Sequence, residues 1–145
     1  MLMSDDERGA ELCFLVDENA ARLARWLRLS GYDALYVPGA GDAGLVELAR
    51  REGRILLTRD RGLVARRPVA SGRVRAVLLS SDDTWQQLEQ VVLLFALDPR
   101  AAPFTRCASC NAPLETASPE EARPHVPPFV AATQRTFMRC PRCRR

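Results

Sequence analysis

The sequence predicts an α/β protein, in which a parallel sheet with helices on both faces is followed by a small C-terminal zinc ribbon. Two observations predict this fold. Over the first hundred residues, short apolar runs of strand length alternate with segments whose apolar residues recur at helical spacing. Beyond them, four of the five cysteines fall in two C-x-x-C pairs. The apolar runs are continuous rather than alternating, which is typical of parallel strands covered on both faces.

The elements follow in order along the chain. The first helix rests on Leu23, Trp26 and Leu27 at helical spacing, and Gly31 ends it. The second helix lies between Asp42 and Gly53, and a long apolar-faced helix covers residues 84–97. Strands are predicted at residues 12–16, 34–37, 55–58 and 74–79.

Charge and proline content divide the chain near residue 100. Residues 1–100 hold 14 arginines and 15 acidic residues, whereas residues 101–145 hold 7 arginines and 3 acidic residues. Pro99 and Pro103 mark the change and should stop a helix there. We therefore predict a sheet domain over residues 10–99 and a zinc ribbon over residues 100–145.

The composition excludes several classes of enzyme. All 21 basic residues are arginine, so a P-loop and a pyridoxal site, which both need lysine, are excluded. The single histidine, His125, lies in a proline-rich stretch, which argues against a Ser-His-Asp hydrolase. The N-terminus is acidic where a signal peptide is basic, and no apolar run reaches the ~20 residues of a spanning helix. We predict a cytoplasmic location.

Acidic residues follow the predicted strands. Asp17 follows the first strand, Asp60 follows the third, and Asp42 begins the second helix. Because the carboxyl ends of parallel strands meet at one edge, these side chains should lie along a single rim. Clustered carboxylates repel one another, and a bound Mg²⁺ or Mn²⁺ would relieve that repulsion and activate water for phosphoryl transfer. Asp17, Asp42 and Asp60 are therefore the candidate catalytic and metal-binding residues.

Helix capping is the alternative interpretation of these aspartates. Aspartate is a favoured N-cap, and helices in such a fold begin at the same rim. Asp83, directly before the helix that starts at Thr84, is expected to be a cap. Asp82 is a fourth candidate ligand if its side chain turns toward Asp17 and Asp60, and a solvated residue if it does not.

Arginines surround the acidic rim. We predict that Arg25 on the first helix, and Arg59 and Arg61 on either side of Asp60, bind nucleic acid, because guanidinium groups hold phosphate oxygens. The alternative is an ordinary solvated surface, and a net charge of +3 does not decide between the two. Other arginines near the rim are Arg22, Arg28, Arg66 and Arg67.

The cysteine pairs are the most specific pattern in the chain. Cys107 and Cys110 are separated by 29 residues from Cys140 and Cys143, and two such pairs supply the four thiolates of a tetrahedral zinc site. The alternative, a redox motif, usually has one pair at a helix start. With few apolar residues and several prolines, this region should need the metal to fold, so the zinc is structural. Cys13, inside the first strand, is expected to be a buried apolar thiol.

These segments together resemble a known family. FLVDEN, LARWLRLSGYD, GDAGLVELARREGRILLTRDRGL, RCASCN, VPPFV and FMRCPRC occur in this order over residues 12–143. In order and spacing they are similar to the PIN-like ribonucleases with a C-terminal zinc ribbon, named after the C-terminal domain of the exoribonuclease Mut-seven. The resemblance implies a PIN-like α/β fold and metal-dependent RNA cleavage by an acidic cluster.

The resemblance also implies roles for single residues. Asp17, Asp42 and Asp60 match the acidic residues of the family, and the four cysteines of the two pairs match its ribbon ligands. We therefore expect a Mg²⁺- or Mn²⁺-dependent ribonuclease whose arginines and zinc ribbon bind RNA. Two alternatives remain: a non-catalytic RNA- or ribosome-binding module on the same scaffold, and the toxin of a toxin–antitoxin pair.

Overall fold

The computed structural model describes residues 12–144 of the chain. The acidic N-terminal stretch on which the predicted location partly rests lies outside the described residues, as do the predicted domain start at residue 10 and Arg145. Within residues 12–144, no helix is both long enough and apolar enough to cross a lipid bilayer.

Among these described residues, four parallel strands form the main sheet, in the order β2-β1-β3-β4. Their bounds are Cys13–Val16 for β1, Asp33–Tyr36 for β2, Ile55–Thr58 for β3 and Ala76–Leu78 for β4. Val16 lies opposite Tyr36 on one side and Leu57 on the other. The predicted parallel sheet is confirmed, with β2 shifted by one residue and β4 shorter than expected.

Within the part of the chain that the structure describes, five helices belong to the sheet region. The 3-10 turn Glu18–Ala20 leads into the first of them, and residues 71–75 connect the fourth to β4. Their bounds are Ala21–Leu29 for α1, Gly41–Glu52 for α2, Arg61–Val64 for α3, Arg67–Ala70 for α4 and Thr84–Phe95 for α5. The sequence predicted α1, α2 and α5. It did not predict α3 and α4, because a helix of one turn is too short to display a periodicity.

Both faces of the sheet are covered, as the continuous apolar strands required. Phe14 and Val16 of β1 pack with α1 and α5 on one face, and Leu15 between them packs with α2 and α3 on the other. All three side chains are fully buried. Cys13, expected to be buried, is only partly so, and its Sγ lies 3.7 Å from the Gly53 carbonyl oxygen.

The ribbon consists of an antiparallel pair of short strands and short helical segments between them. Strand β5 spans Glu115–Ala117 and pairs with β6, Phe137–Arg139. Between them lie α6 at Pro119–Ala122, a 3-10 turn at Arg123–His125 and α7 at Pro128–Thr133. The two cysteine pairs lie outside this strand pair, one before β5 and one after β6.

The strand order places a topological switch point between β1 and β3 at one edge of the main sheet. Strands β1 and β3 are neighbours, but the chain leaves β1 toward α1 on one face and leaves β3 toward α3 on the other. Such a reversal leaves a gap at the carboxyl ends of the two strands, which is where open α/β sheets bind ligands. Asp17 and Asp60 follow these two strands.

Candidate functional site

Asp17 is held firmly at the carboxyl end of β1. Its side chain is only 9% exposed, and its Oδ1 accepts a hydrogen bond of 2.7 Å from the Glu18 backbone N–H. Its Oδ2 accepts the hydroxyl of Thr58, also at 2.7 Å. Asp17 therefore does cap the short turn that follows it, but a second bond from the neighbouring strand also fixes the carboxylate.

Thr58, the last residue of β3, joins the two aspartate positions. It is completely buried, and its Oγ1 accepts the Asp60 backbone N–H at 3.0 Å while donating to Asp17. Sequence reasoning did not single out Thr58, because a threonine at the end of a strand is common and nothing local shows that its partner lies 41 residues away.

Asp60 caps the helix that follows β3. The backbone N–H groups of Gly62 and Leu63 donate to it at 2.7 and 3.3 Å, and both bonds fall on Oδ1. Within residues 12–144, its Oδ2 accepts no hydrogen bond. The capping interpretation thus accounts for one oxygen of Asp60 and leaves the other available to a ligand.

Asp42 lies in the first turn of α2 and not at its cap, which is Ala40. Its side chain is 40% exposed and its Oδ2 lies 3.9 Å from a guanidinium nitrogen of Arg66. Glu18 ties this loop to the end of β1, because its carboxylate accepts the Gly39 backbone N–H. Glu18 is a second residue that sequence reasoning missed, and it connects the Asp17 and Asp42 segments.

The two aspartates after β4 have different environments. Asp83 caps α5 by accepting the Gln86 backbone N–H at 3.0 Å, as predicted. Asp82 is exposed and lines a hollow of about 360 Å³ at the end of β1. We call this cavity the edge hollow; its other lining residues are Glu18, Asn19, Ala20, Ala21, Arg22, Thr84 and Gln87.

The acidic residues are near the same edge without forming a closed cage. Among residues 12–144, the one group of three or more cysteine, histidine or acidic side chains close enough to share an ion is the cysteine quartet. Mg²⁺ usually keeps several waters and is held by one or two protein carboxylates. Asp17 and Asp60, on neighbouring strands and linked through Thr58, have the donor chemistry for that kind of site.

The arginines fall into two groups. Arg25, Arg59 and Arg61 are exposed, as nucleic-acid-binding side chains must be. Arg28 is buried and instead holds two parts of the chain together. Its Nε donates to the Ala34 carbonyl at 2.8 Å, and its Nη1 donates to the carbonyls of Ala108 and Ser109 at 3.1 and 3.3 Å. Arg28, which the sequence placed among the arginines near the acidic rim, is therefore not available to bind phosphate.

The four ribbon cysteines converge. Their Sγ atoms all lie within 4.8 Å of one another, and those of Cys110 and Cys140 are 3.5 Å apart. A tetrahedral zinc with Zn–S bonds of about 2.3 Å separates its sulfurs by about 3.8 Å. The quartet therefore fits zinc. The backbone N–H of Cys143 donates to the Cys140 sulfur and lowers the pKa of that thiol to about 7, which favours the thiolate that a metal needs.

We call residues 107–110 the first knuckle and residues 140–143 the second knuckle. The first knuckle is attached to β2 through Asn111. The Asn111 Oδ1 accepts the Ala34 backbone N–H at 3.0 Å, and its Nδ2 donates to Asp33 at 2.6 Å. Together with Arg28, these bonds satisfy the N–H and carbonyl of Ala34 on the open edge of the sheet.

Asp33 is the charged centre of this attachment. Burial, the largest influence, would raise the pKa of its carboxyl, but hydrogen bonds from Arg54 and Asn111 outweigh it and bring that pKa below its ordinary value. The Arg54 guanidinium donates to Asp33 at 2.7 Å and also to the Phe14 carbonyl at 3.1 Å. Neither Asp33 nor Asn111 was a sequence-based candidate.

Comparison with known proteins identifies the family. The family model described as the Mut7-C RNAse domain matches residues 12–145, which include both the sheet and the cysteine quartet. No curated protein and no solved structure matches the chain. Family membership points to a ribonuclease-type function. Since the match covers nearly the whole sequence, the chain belongs to the Mut7-C RNase domain family.

Proposed function

We propose that the protein is a Mg²⁺- or Mn²⁺-dependent ribonuclease whose catalytic residues are Asp17, Asp42 and Asp60. The observation that carries the proposal is the position of Asp17 and Asp60 after the carboxyl ends of the neighbouring strands β1 and β3, linked through the buried Thr58. The match to a family model described as an RNase domain also supports the proposal.

The carboxylates would hold the divalent ion, which supplies a Lewis acid and an activated water when it is bound. The hydrogen bond from Thr58 keeps the Asp17 carboxylate from rotating. The carboxylate oxygens of Asp17 therefore keep a fixed orientation toward the proposed ion. Arg59 and Arg61 stand on either side of Asp60, and Arg25 is exposed on α1. We assign these three arginines to the phosphates of RNA, the proposed substrate, because guanidinium groups bind phosphate oxygens in pairs.

The proposal gives the ribbon a structural zinc and a share in RNA binding. The spacing of the four sulfurs and the charge of +4 over residues 101–145 support it. We also propose that residues 10–99 form the sheet domain and residues 100–145 the ribbon. A cytoplasmic location is proposed because thiols grouped as metal ligands are typical of a reducing compartment.

A non-catalytic RNA-binding module is the second candidate function. One observation favours it: among residues 12–144, the acidic side chains do not come close enough in threes to share a single ion. The two candidates differ in whether divalent metal binds to the edge at all.

The test is Asp17→Asn, with Asp83→Asn as a matched control. Both residues lie at the same edge and both cap a helical turn, and asparagine caps nearly as well as aspartate. We expect Asp17→Asn to lose RNA cleavage and stabilisation by Mn²⁺, while Asp83→Asn keeps both. Melting curves with and without Mn²⁺, alongside cleavage of mixed RNA substrates, measure this. Cleavage and Mn²⁺ stabilisation that survive in Asp17→Asn would refute the proposed site.

A further inference from the structure

The two tryptophans of the chain lie against each other on the surface. Trp26 of α1 and Trp85 of α5 have ring centroids 4.6 Å apart, with the planes tilted by 43°. Trp26 is 36% exposed and Trp85 is 59% exposed. The contact between α1 and α5 therefore leaves much of this tryptophan pair open to solvent, although tryptophan has the largest aromatic surface a protein can bury.

The tryptophan pair adjoins the edge hollow. Arg22, which lines the hollow, lies one helical turn before Trp26 and so on the same face of α1. Thr84, which also lines it, directly precedes Trp85. Glu18 and Asn19, the residues that follow Asp17, also line the hollow. An aromatic surface is thus continuous with the edge where the candidate catalytic residues lie.

We propose that the tryptophan pair is a stacking platform for the bases of single-stranded RNA. The inference rests on the proposed function in taking RNA as the ligand. Unpaired bases stack on exposed aromatic rings regardless of their identity, whereas bases in a duplex already stack on each other. Arg22 lies one turn before Trp26 on α1 and Arg25 directly precedes it, and both are exposed. Their positive charges complement the phosphates of RNA and favour RNA over an apolar protein segment as the occupant.

The platform would also orient the strand. Bases on the tryptophan pair place the adjoining phosphates next to Arg22 at the edge hollow, and from there the strand reaches the end of β1. RNA is therefore expected to bind with its bases toward α1 and α5 and its backbone toward the acidic edge. Duplex RNA of the same sequence lacks free base faces, so it should bind more weakly.

The chain provides its own reporter, because Trp26 and Trp85 are its only tryptophans. Intrinsic fluorescence is measured while the full-length, zinc-loaded protein is titrated, without added Mg²⁺ or Mn²⁺. The three ligands are a single-stranded RNA of about ten nucleotides, its duplex, and a matched strand with abasic positions. We expect the single strand to quench the tryptophans and the abasic strand, which keeps the phosphates, to bind on the order of tenfold more weakly. Equal affinity for the two strands would overturn the proposal.

Variants separate stacking from helix packing. By the anisotropy of a labelled strand, Trp85→Ala should weaken binding on the order of tenfold and Trp85→Tyr should restore most of it. Leu93→Ala is the control, because Leu93 is a 73% exposed apolar side chain about two turns further along α5. If Trp85→Ala lowers the melting temperature but leaves RNA affinity unchanged, the pair only packs two helices and the proposal is wrong.

The outcomes also separate this proposal from the proposed ribonuclease. Quenching by single-stranded RNA without any metal-dependent cleavage would support the platform and count against the nuclease. Cleavage that is unchanged in Trp85→Ala, with no quenching, would support the nuclease and overturn the platform.

Discussion

The first and second knuckles close in the same way and are held by different means. In each, the residue after the second cysteine adopts a left-handed backbone, with φ of 70° at Asn111 and 56° at Arg144. In each, the N–H of that residue donates to the carbonyl of the first cysteine, at 2.9 and 2.8 Å. The first knuckle, however, is also bonded to α1 and β2, through Arg28 and Asn111.

The second knuckle has no such attachment among the described residues. Its hydrogen bonds run from Cys143 to Cys140 and from Arg144 to Cys140, and the neighbouring Arg139 bonds to Glu115 on β5. All of these partners belong to the ribbon. Equal metal-ligand motifs thus have unequal support: the first knuckle is bonded to the edge of the sheet, whereas the second is bonded within the ribbon, so we expect the second to depend more on the proposed zinc.

Removal of the metal should produce the largest difference between the two knuckles. After chelation of zinc, we expect amide protection to be lost in β5, β6 and the second knuckle, and to persist in the sheet and around the first knuckle. Hydrogen exchange on the protein with and without zinc measures this, after elemental analysis has found about one zinc per chain. Equal loss at the two knuckles would contradict the unequal support.

Single cysteines provide the matched test of that prediction. Cys143→Ser should reproduce the effect of chelation on β5 and β6, because it removes one thiolate from the quartet. Cys13→Ser is the control, since Cys13 is the one cysteine outside the quartet. A disulfide between Cys107 and Cys110 in the purified protein would rule out the zinc site itself.

Arg28→Ala should have the next largest effect. It leaves the carbonyls of Ala34, Ala108 and Ser109 without their charged donor, which costs about 2–3 kcal/mol of stability. Arg25→Ala on the same helix, where the side chain is exposed, should change stability by less than about 0.5 kcal/mol. Chemical denaturation of the zinc-loaded variants gives both values. Comparable losses in the two would show that Arg28 does not bridge the regions.

Glycine substitutions at the two left-handed positions should have the smallest effects on stability, and they compare the two knuckles directly. Asn111→Gly keeps a backbone that accepts positive φ but removes the bonds to Ala34 and Asp33, so a loss of about 1–2 kcal/mol is expected. Arg144→Gly removes no bond to the sheet and should change stability by less than about 0.5 kcal/mol. The exchange rate of the Ala34 amide should rise in the first variant only.

The pattern of apolar residues predicted the parallel sheet and the three longer helices, because burial on two faces of a sheet imposes a repeating local pattern. It also placed Asp83 correctly as a cap, since capping involves residues only three positions apart. Asp17 and Asp60 could be predicted to lie at one edge from topology alone. Their link through Thr58 could not, because it joins residues 41 positions apart.

Gly31 shows, at a single position, what a local sequence pattern can and cannot predict. The sequence marks it as a helix stop, and its φ of 92° agrees. A side chain there would also meet the Ala102 carbonyl oxygen at 2.1 Å, so the absence of a Cβ lets the segment leading into the ribbon approach α1. That second role depends on a residue 71 positions away, and no local pattern predicts it.

Local sequence patterns predict the strands of the sheet and the four thiols that converge, because periodicity and C-x-x-C spacing act over a few residues. The attachment of the ribbon depends instead on contacts between distant parts of the chain. Arg28 has the sequence environment of an exposed helical arginine, yet it is buried between β2 and the first knuckle. The physical reason is that the open edge of β2 presents backbone groups that need partners, and the donors that reach them come from distant parts of the chain.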